Sequence, residues 1–100
     1  MPGIARLSDE AVHGDVSAGT GTEASTSVFA NGLAVHRYGD PWNSHEVPKA
    51  GIGKETHEGL TISGGCSSTV SAEGKAVAMI GSTISCGAVI NQGSTDVFVS

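Results

Sequence analysis

Aromatic residues are scarce in this chain: Phe29, Tyr38, Trp42 and Phe98 are the whole supply among 100 residues. Fifteen glycines deepen the shortage, because glycine loses more backbone entropy on folding than any other residue. A domain this small buries a modest share of its surface, so apolar packing needs a second source of stability beside it. Only two cysteines are present, Cys66 and Cys86. They permit at most one internal disulfide, which ranks a structural metal or a partner chain above a disulfide framework. Basic residues are few as well. Five Lys plus Arg stand against ten Asp plus Glu, a formal charge of -5, and this lacks the cationic footprint that phosphate backbones require. Nucleic acid is therefore not an expected partner. No apolar run approaches the ~18 residues of a membrane-spanning helix. The N-terminus has neither a basic segment followed by an apolar stretch nor a small-residue cleavage site, so no Sec-type signal is expected.

Signatures of catalysis are missing too, and no catalytic residue is assigned. Gly-x-Ser-x-Gly does not occur. Gly51-Ile52-Gly53-Lys54 invites a phosphate-loop reading, but Pro48 and Glu55 occupy the places where that motif needs Gly and Ser or Thr. Asp9, Glu10 and Asp40 recur with an internal repeat, which predicts turn or strand-end roles rather than a catalytic carboxylate pair.

That repeat is the most informative feature present. Residues 25–40 and 67–82 are variants of one sequence, residues 94–100 are a shortened copy, and residues 4–9 line up with 35–40 and 77–82. Apolar residues alternate or cluster in short β-branched runs broken by Gly, Ser, Thr and Asn, with almost no helical periodicity, so short strands and tight turns are expected throughout. Ser27-Val28-Phe29-Ala30, then Asn31-Gly32, then Leu33-Ala34-Val35 predicts a hairpin whose turn needs positive φ at both central residues. Ala72-Glu73-Gly74-Lys75 repeats that turn. The last copy stops where its second strand would begin, and the first fragment supplies only such a strand, so the terminal strands are expected to pair and close the repeat. One domain spanning residues 1–100 accounts for the length. The pattern breaks between residues 40 and 60, where Pro41, Pro48, Gly51, Gly53 and Gly59 predict a long irregular loop pinned by a bound group.

Potential metal ligands follow the repeat. His13-Gly14, His57-Glu58-Gly59 and Cys86-Gly87 each precede a segment leading to the next repeat valine, at Val28, Val70 and Val97. A closed threefold arrangement would bring them together, with His45 joining from the irregular segment. His13, His45, His57 and Cys86 would make a His3Cys set suited to tetrahedral Zn²⁺, and a site closed by four protein ligands is structural rather than catalytic. Taken singly, a histidine in a β-rich chain is more often a solvated or hydrogen-bonded residue than a ligand, and Cys86 more often a free buried thiol. Only the repeat register favours the metal. His36 replaces Ala5 and Ala78 of the other copies, which predicts that it packs or faces solvent. Cys66 falls at a small turn-side position, where a bridge to Cys86 would remove the thiolate. Trp42, beside Pro41, is expected to cover the loop or the metal site.

With these residues in view, the chain resembles PAAR-repeat proteins, named for Pro-Ala-Ala-Arg, which sharpen the tips of contractile phage tails and type VI secretion spikes. The resemblance rests on Val28-Phe29-Ala30-Asn31-Gly32-Leu33-Ala34-Val35-His36-Arg37-Tyr38-Gly39-Asp40, on residues 67–81, on Ile84-Ser85-Cys86-Gly87 and on residues 93–99. It implies an all-β fold: a small cone of short β-hairpins with a pseudo-threefold repeat and one structural zinc at the apex. The ligands carried over by position are His13, His45, His57 and Cys86, with iron the other metal left open. It also implies a flat base seated on a trimeric β-helical spike, one copy per trimer, the chain being monomeric on its own. The function implied is that of a non-enzymatic, membrane-piercing tip of a contractile injection machine. Such a tip is assembled in the cytoplasm, carried at a phage tail tip or on a type VI spike, and touches the target membrane transiently. Two other readings use the same ligands: a reversible metal-sensing or metal-buffering module, and a small hydrolase in which His45 and Asp40 act on a zinc-bound water. Four protein ligands would exclude the second.

Overall fold

The structure, a computed structural model, describes residues 2–14, 16–48 and 54–100, the side chains of 46–48 and 54–57 excepted. In chain order its strands are β1 (Glu10–His13), β2 (Val16–Thr20), β3 (Phe29–Ala30), β4 (Leu33–Ala34), β5 (Pro41–Trp42), β6 (His45–Pro48), β7 (Lys54–His57), β8 (Leu60–Gly64), β9 (Ser71–Ala72), β10 (Lys75–Ala76), β11 (Thr83–Ile84) and β12 (Val89–Ile90). No helix forms among the described residues, as the missing 3.6-residue periodicity predicts.

Turn chemistry sets the hairpins. Asn31 and Gly32 both take positive φ (55° and 79°), as do Glu73 and Gly74 (48° and 79°). Two successive left-handed residues give a turn whose twist matches antiparallel strands, and they fold β3 onto β4 and β10 onto β9. The third unit is completed from the other end of the chain, as the repeat register anticipates. Gly3 bridges Phe98, Ile4 N–H donates to the Val97 carbonyl (2.9 Å) and Val99 N–H to that of Pro2 (3.0 Å). Glycine is required at position 3, where any Cβ would collide with the Ser94 carbonyl.

The three repeat segments meet in a ring of backbone hydrogen bonds. Ala5 N–H donates to Ala78 (2.9 Å), Ala78 N–H to His36 (2.8 Å) and His36 N–H to Ala5 (3.0 Å). Successive side chains of an extended segment point to opposite sides, so this ring sorts the core into two clusters. Ile4, Val35 and Val77 join Ala30, Ala72 and Val99 on one side. Ala5 and Ala78 join Ala11, Ala18, Trp42, Leu60, Ile62, Ile84, Ala88 and Ile90 on the other. The molecule is accordingly elongated, 42 × 23 × 22 Å.

The second cluster fills a six-stranded sheet of order β2-β1-β12-β11-β8-β5. Its two edges meet: Gly21 bridges Trp42, Thr22 N–H donates to Pro41 (3.0 Å) and Asn43 N–H to Thr20 (3.0 Å). A sheet closed in this way leaves no open edge there. Trp42 lies inside it, 3% exposed, with Nε1–H donating to the Ala18 carbonyl (2.8 Å). It is a core residue, and the expectation that it covers the loop or the metal site is corrected. The segment read as an irregular loop also differs from expectation, because β6 and β7 pair from His45↔His57 to Pro48↔Lys54. Among the described residues they form a sheet of two strands, an edge setting that tolerates Pro48. The loop residues Gly51 to Gly53 lie outside the described residues.

The recurring carboxylates serve turns, as expected. Asp9 accepts from Arg6 N–H (2.8 Å) and from its guanidinium (2.9 and 3.1 Å); Asp40 does the same for Arg37 (2.7, 3.0 and 2.8 Å). Ser82 takes that place in the remaining unit, accepting from Met79 N–H (2.9 Å). The serines that open each unit tie one hairpin to the next. Ser94 donates to the Asn31 side chain (2.6 Å), Ser25 to Glu73 (2.7 Å) and Ser67 to the Ser100 carbonyl (2.6 Å).

Candidate metal centre

A glycine at positive φ follows His13 and Cys86, at Gly14 (58°) and Gly87 (97°). Each turns the chain at the tip of a hairpin, β1–β2 and β11–β12, which leaves the preceding side chain at the end of the closed sheet. His45 opens β6 beside them. Its Nδ1–H donates to the Asn43 carbonyl (3.2 Å), which places the available lone pair on Nε2 and fixes the ring toward the cluster.

The three donor atoms converge. His13 Nε2 lies 3.2 Å from His45 Nε2 and 3.2 Å from Cys86 Sγ, and His45 Nε2 lies 3.6 Å from Cys86 Sγ. All three residues are half-buried, and their ligand atoms lie within 4.8 Å of one another. A tetrahedral ion with ordinary zinc bond lengths separates two nitrogen donors by about 3.3 Å and a nitrogen from a thiolate by about 3.6 Å. The His13–His45 and His45–Cys86 edges match those values and the His13–Cys86 edge is about 0.4 Å shorter, so the group can hold a metal of borderline softness. His57 stands opposite His45 in the β6–β7 register; its side chain lies outside the described residues.

The remaining candidates stand elsewhere. His36 is buried against Trp42, ring centroids 5.4 Å apart, and joins no cluster of metal donors among the described residues. Cys66 is a free thiol, as is Cys86; it packs against the core beside Ser82, and burial pushes its titration up. Asp40 is 2% exposed and bound to Arg37, which withdraws it from the role of partner to His45 on a bound water. Among the described residues, the Asn43 carbonyl is a contributor that sequence reasoning missed, and no local signal marks it.

Beyond the other side of the ring, the hairpins present apolar side chains to solvent. Phe29 is 58% and Phe98 48% exposed, with Val28, Leu33, Val70 and Val97 also exposed around them. The repeat that builds this face carries Val28, Val70 and Val97 at corresponding places.

Comparison with curated proteins gives no match. A family model described as the PAAR motif matches residues 9–92, a span that holds the donor cluster, two of the three ring segments and both closed hairpins. With that match over most of its length, the chain belongs to the PAAR-motif family.

Proposed function

We propose that the protein is the non-enzymatic tip of a contractile injection machine: one copy caps a trimeric β-helical spike, and the assembly pierces a target membrane. The observation that carries this reading is the placement of two unlike surfaces about one backbone ring in a PAAR-motif chain. Metal donors gather on one side, and exposed apolar hairpins stand on the other. Three chain segments joined head to tail offer pseudo-threefold, near-equivalent faces to three identical spike chains. A monomer needs such faces to match a trimer, and strand edges on both partners can be capped across the contact.

The full ligand set in this proposal is His13, His45, His57 and Cys86, binding one zinc per chain, with iron as the competing metal. When bound, the ion supplies a tetrahedral cross-link among chain segments. The chain's own contribution is orientation: Gly14 and Gly87 shape the hairpin tips and the Asn43 carbonyl aims His45. The tip is assembled in the cytoplasm and leaves it with the spike, as part of a phage tail or a type VI apparatus.

The test is assembly with a purified trimeric spike protein, read by native mass spectrometry. One chain per trimer is expected, and Phe29→Asp combined with Phe98→Asp should abolish binding while leaving metal content unchanged. Spike trimers that recruit no copy of the wild-type chain would remove the tip assignment and favour a reversible metal-binding module.

A further inference from the structure

The ring that joins the two halves needs only a methyl group at its inner positions, since Ala5 and Ala78 fill two of them with no exposure. The third carries an imidazole. We propose that His36 is an acid-sensitive latch: it holds the ring shut while neutral and loosens it once protonated.

Geometry makes the neutral form the fitting one. His36 is wholly buried, and its Nδ1–H donates to the Glu23 carbonyl (2.9 Å). A carbonyl only accepts, so the neutral ring carries its lone pair on Nε2, and that atom has no hydrogen-bond partner. Apolar matter packs around it. A Cβ added at Gly21 would stand 2.8 Å from Nε2 and 3.0 Å from Trp42 Cε3, so Gly21 and Trp42 press against this buried nitrogen and offer it no acceptor. Protonation would turn Nε2 into a charged donor with nothing to receive its proton, a costly state in a desolvated site.

The charged groups around the ring do not reverse this. Asp40 and Asp9 favour the cation, but each is engaged by an arginine, and Arg37 opposes it. Glu23 offers its carbonyl while its side chain is exposed, and Gly21, Trp42, Ala5 and Ala78 bring no charge. Burial prevails, holding His36 below the ordinary histidine range. A folded state that takes up this proton less readily than the unfolded chain is more stable at higher pH, and that stability drains away as pH falls below about 6.5. His36 lends both its N–H and its carbonyl to the ring, so the loss falls on the joint between the metal-binding half and the hairpin half.

His36→Asn tests this, because the amide can still donate to Glu23 and cannot titrate. Urea unfolding of metal-loaded wild type and variant is followed from about pH 7.5 to about 5.5. The variant starts weaker for want of ring packing, and the gap in folding constant should narrow by up to about tenfold per pH unit below the histidine range. Titration of the metal ligands acts on both proteins alike and cancels. Parallel curves would overturn the proposal. Should the variant not fold, the His36 Cε1–H resonance of the wild type decides: its protonation shift should come below the ordinary histidine range, and an ordinary histidine titration would overturn the latch.

Discussion

Ser8 adopts a φ of 88° where the corresponding turns of the repeat have Gly39 (85°) and Gly81 (100°). A side chain in that region is strained, and position 8 is exposed, so Ser8→Gly should stabilise the protein by about 1 kcal/mol. Urea denaturation should show a higher midpoint with unchanged metal content. The same residue-by-residue register made His13 and Cys86 legible as candidate metal donors that come together, since each stands at a corresponding place of the repeat and is followed by a turn glycine. It also marked His36 as an oddity among alanines that either packs or faces solvent, and the structure shows that it packs. What it could not show is how His45 is aimed. That depends on the carbonyl of Asn43, a backbone group every residue possesses, and on strand pairing that no spacing announces. Trp42 misled for a related reason: a tryptophan beside a proline reads as a loop cover until the closure of the sheet at Gly21 puts it inside.

Among the elements, the hairpins carry their own fasteners. Glu73 sits in a left-handed turn position and accepts hydrogen bonds from Ser27 and Ser25 and from the Arg37 guanidinium. Those donors, the Ser27 hydroxyl foremost, hold its carboxylate below the usual range. The folded state therefore releases this proton more readily than the unfolded chain. The clamp's contribution is fully present above the ordinary glutamate range near pH 4.5 and is lost as pH falls through it. Glu73→Gln should lower the urea midpoint in the neutral region and flatten the acid limb of the stability profile, so that the two profiles, measured by urea midpoints against pH, converge at low pH. The two closed hairpins were readable because Asn-Gly and Glu-Gly announce a turn with two positive φ values. The β6–β7 hairpin was not, because Pro48 and the glycines near it are also the vocabulary of loops. A strand at the end of its sheet lets a proline stand inside a paired segment, as Pro48 does in β6 and Pro41 in β5.

At the scale of the whole molecule, a thin core is divided in two by a ring of three short segments, and each half is secured by something other than apolar bulk. The hairpin half is fastened by serine, asparagine and carboxylate contacts between units. The closed-sheet half ends in the cluster of His13, His45 and Cys86. Closure by the chain ends was visible in the sequence, because the first fragment is the strand that the last copy lacks. The division into two cores was not, since the alternation Val35–His36 or Val77–Ala78 acquires two distinct destinations only once the ring exists. The central claim is that a bound metal completes this arrangement, and elemental analysis of protein purified without added metal tests it most directly, with Cys86→Ser alongside. One zinc per chain is predicted in the wild type, lost in the variant together with about 10 °C or more of thermal stability. A folded, stable wild-type protein containing no metal would contradict the account.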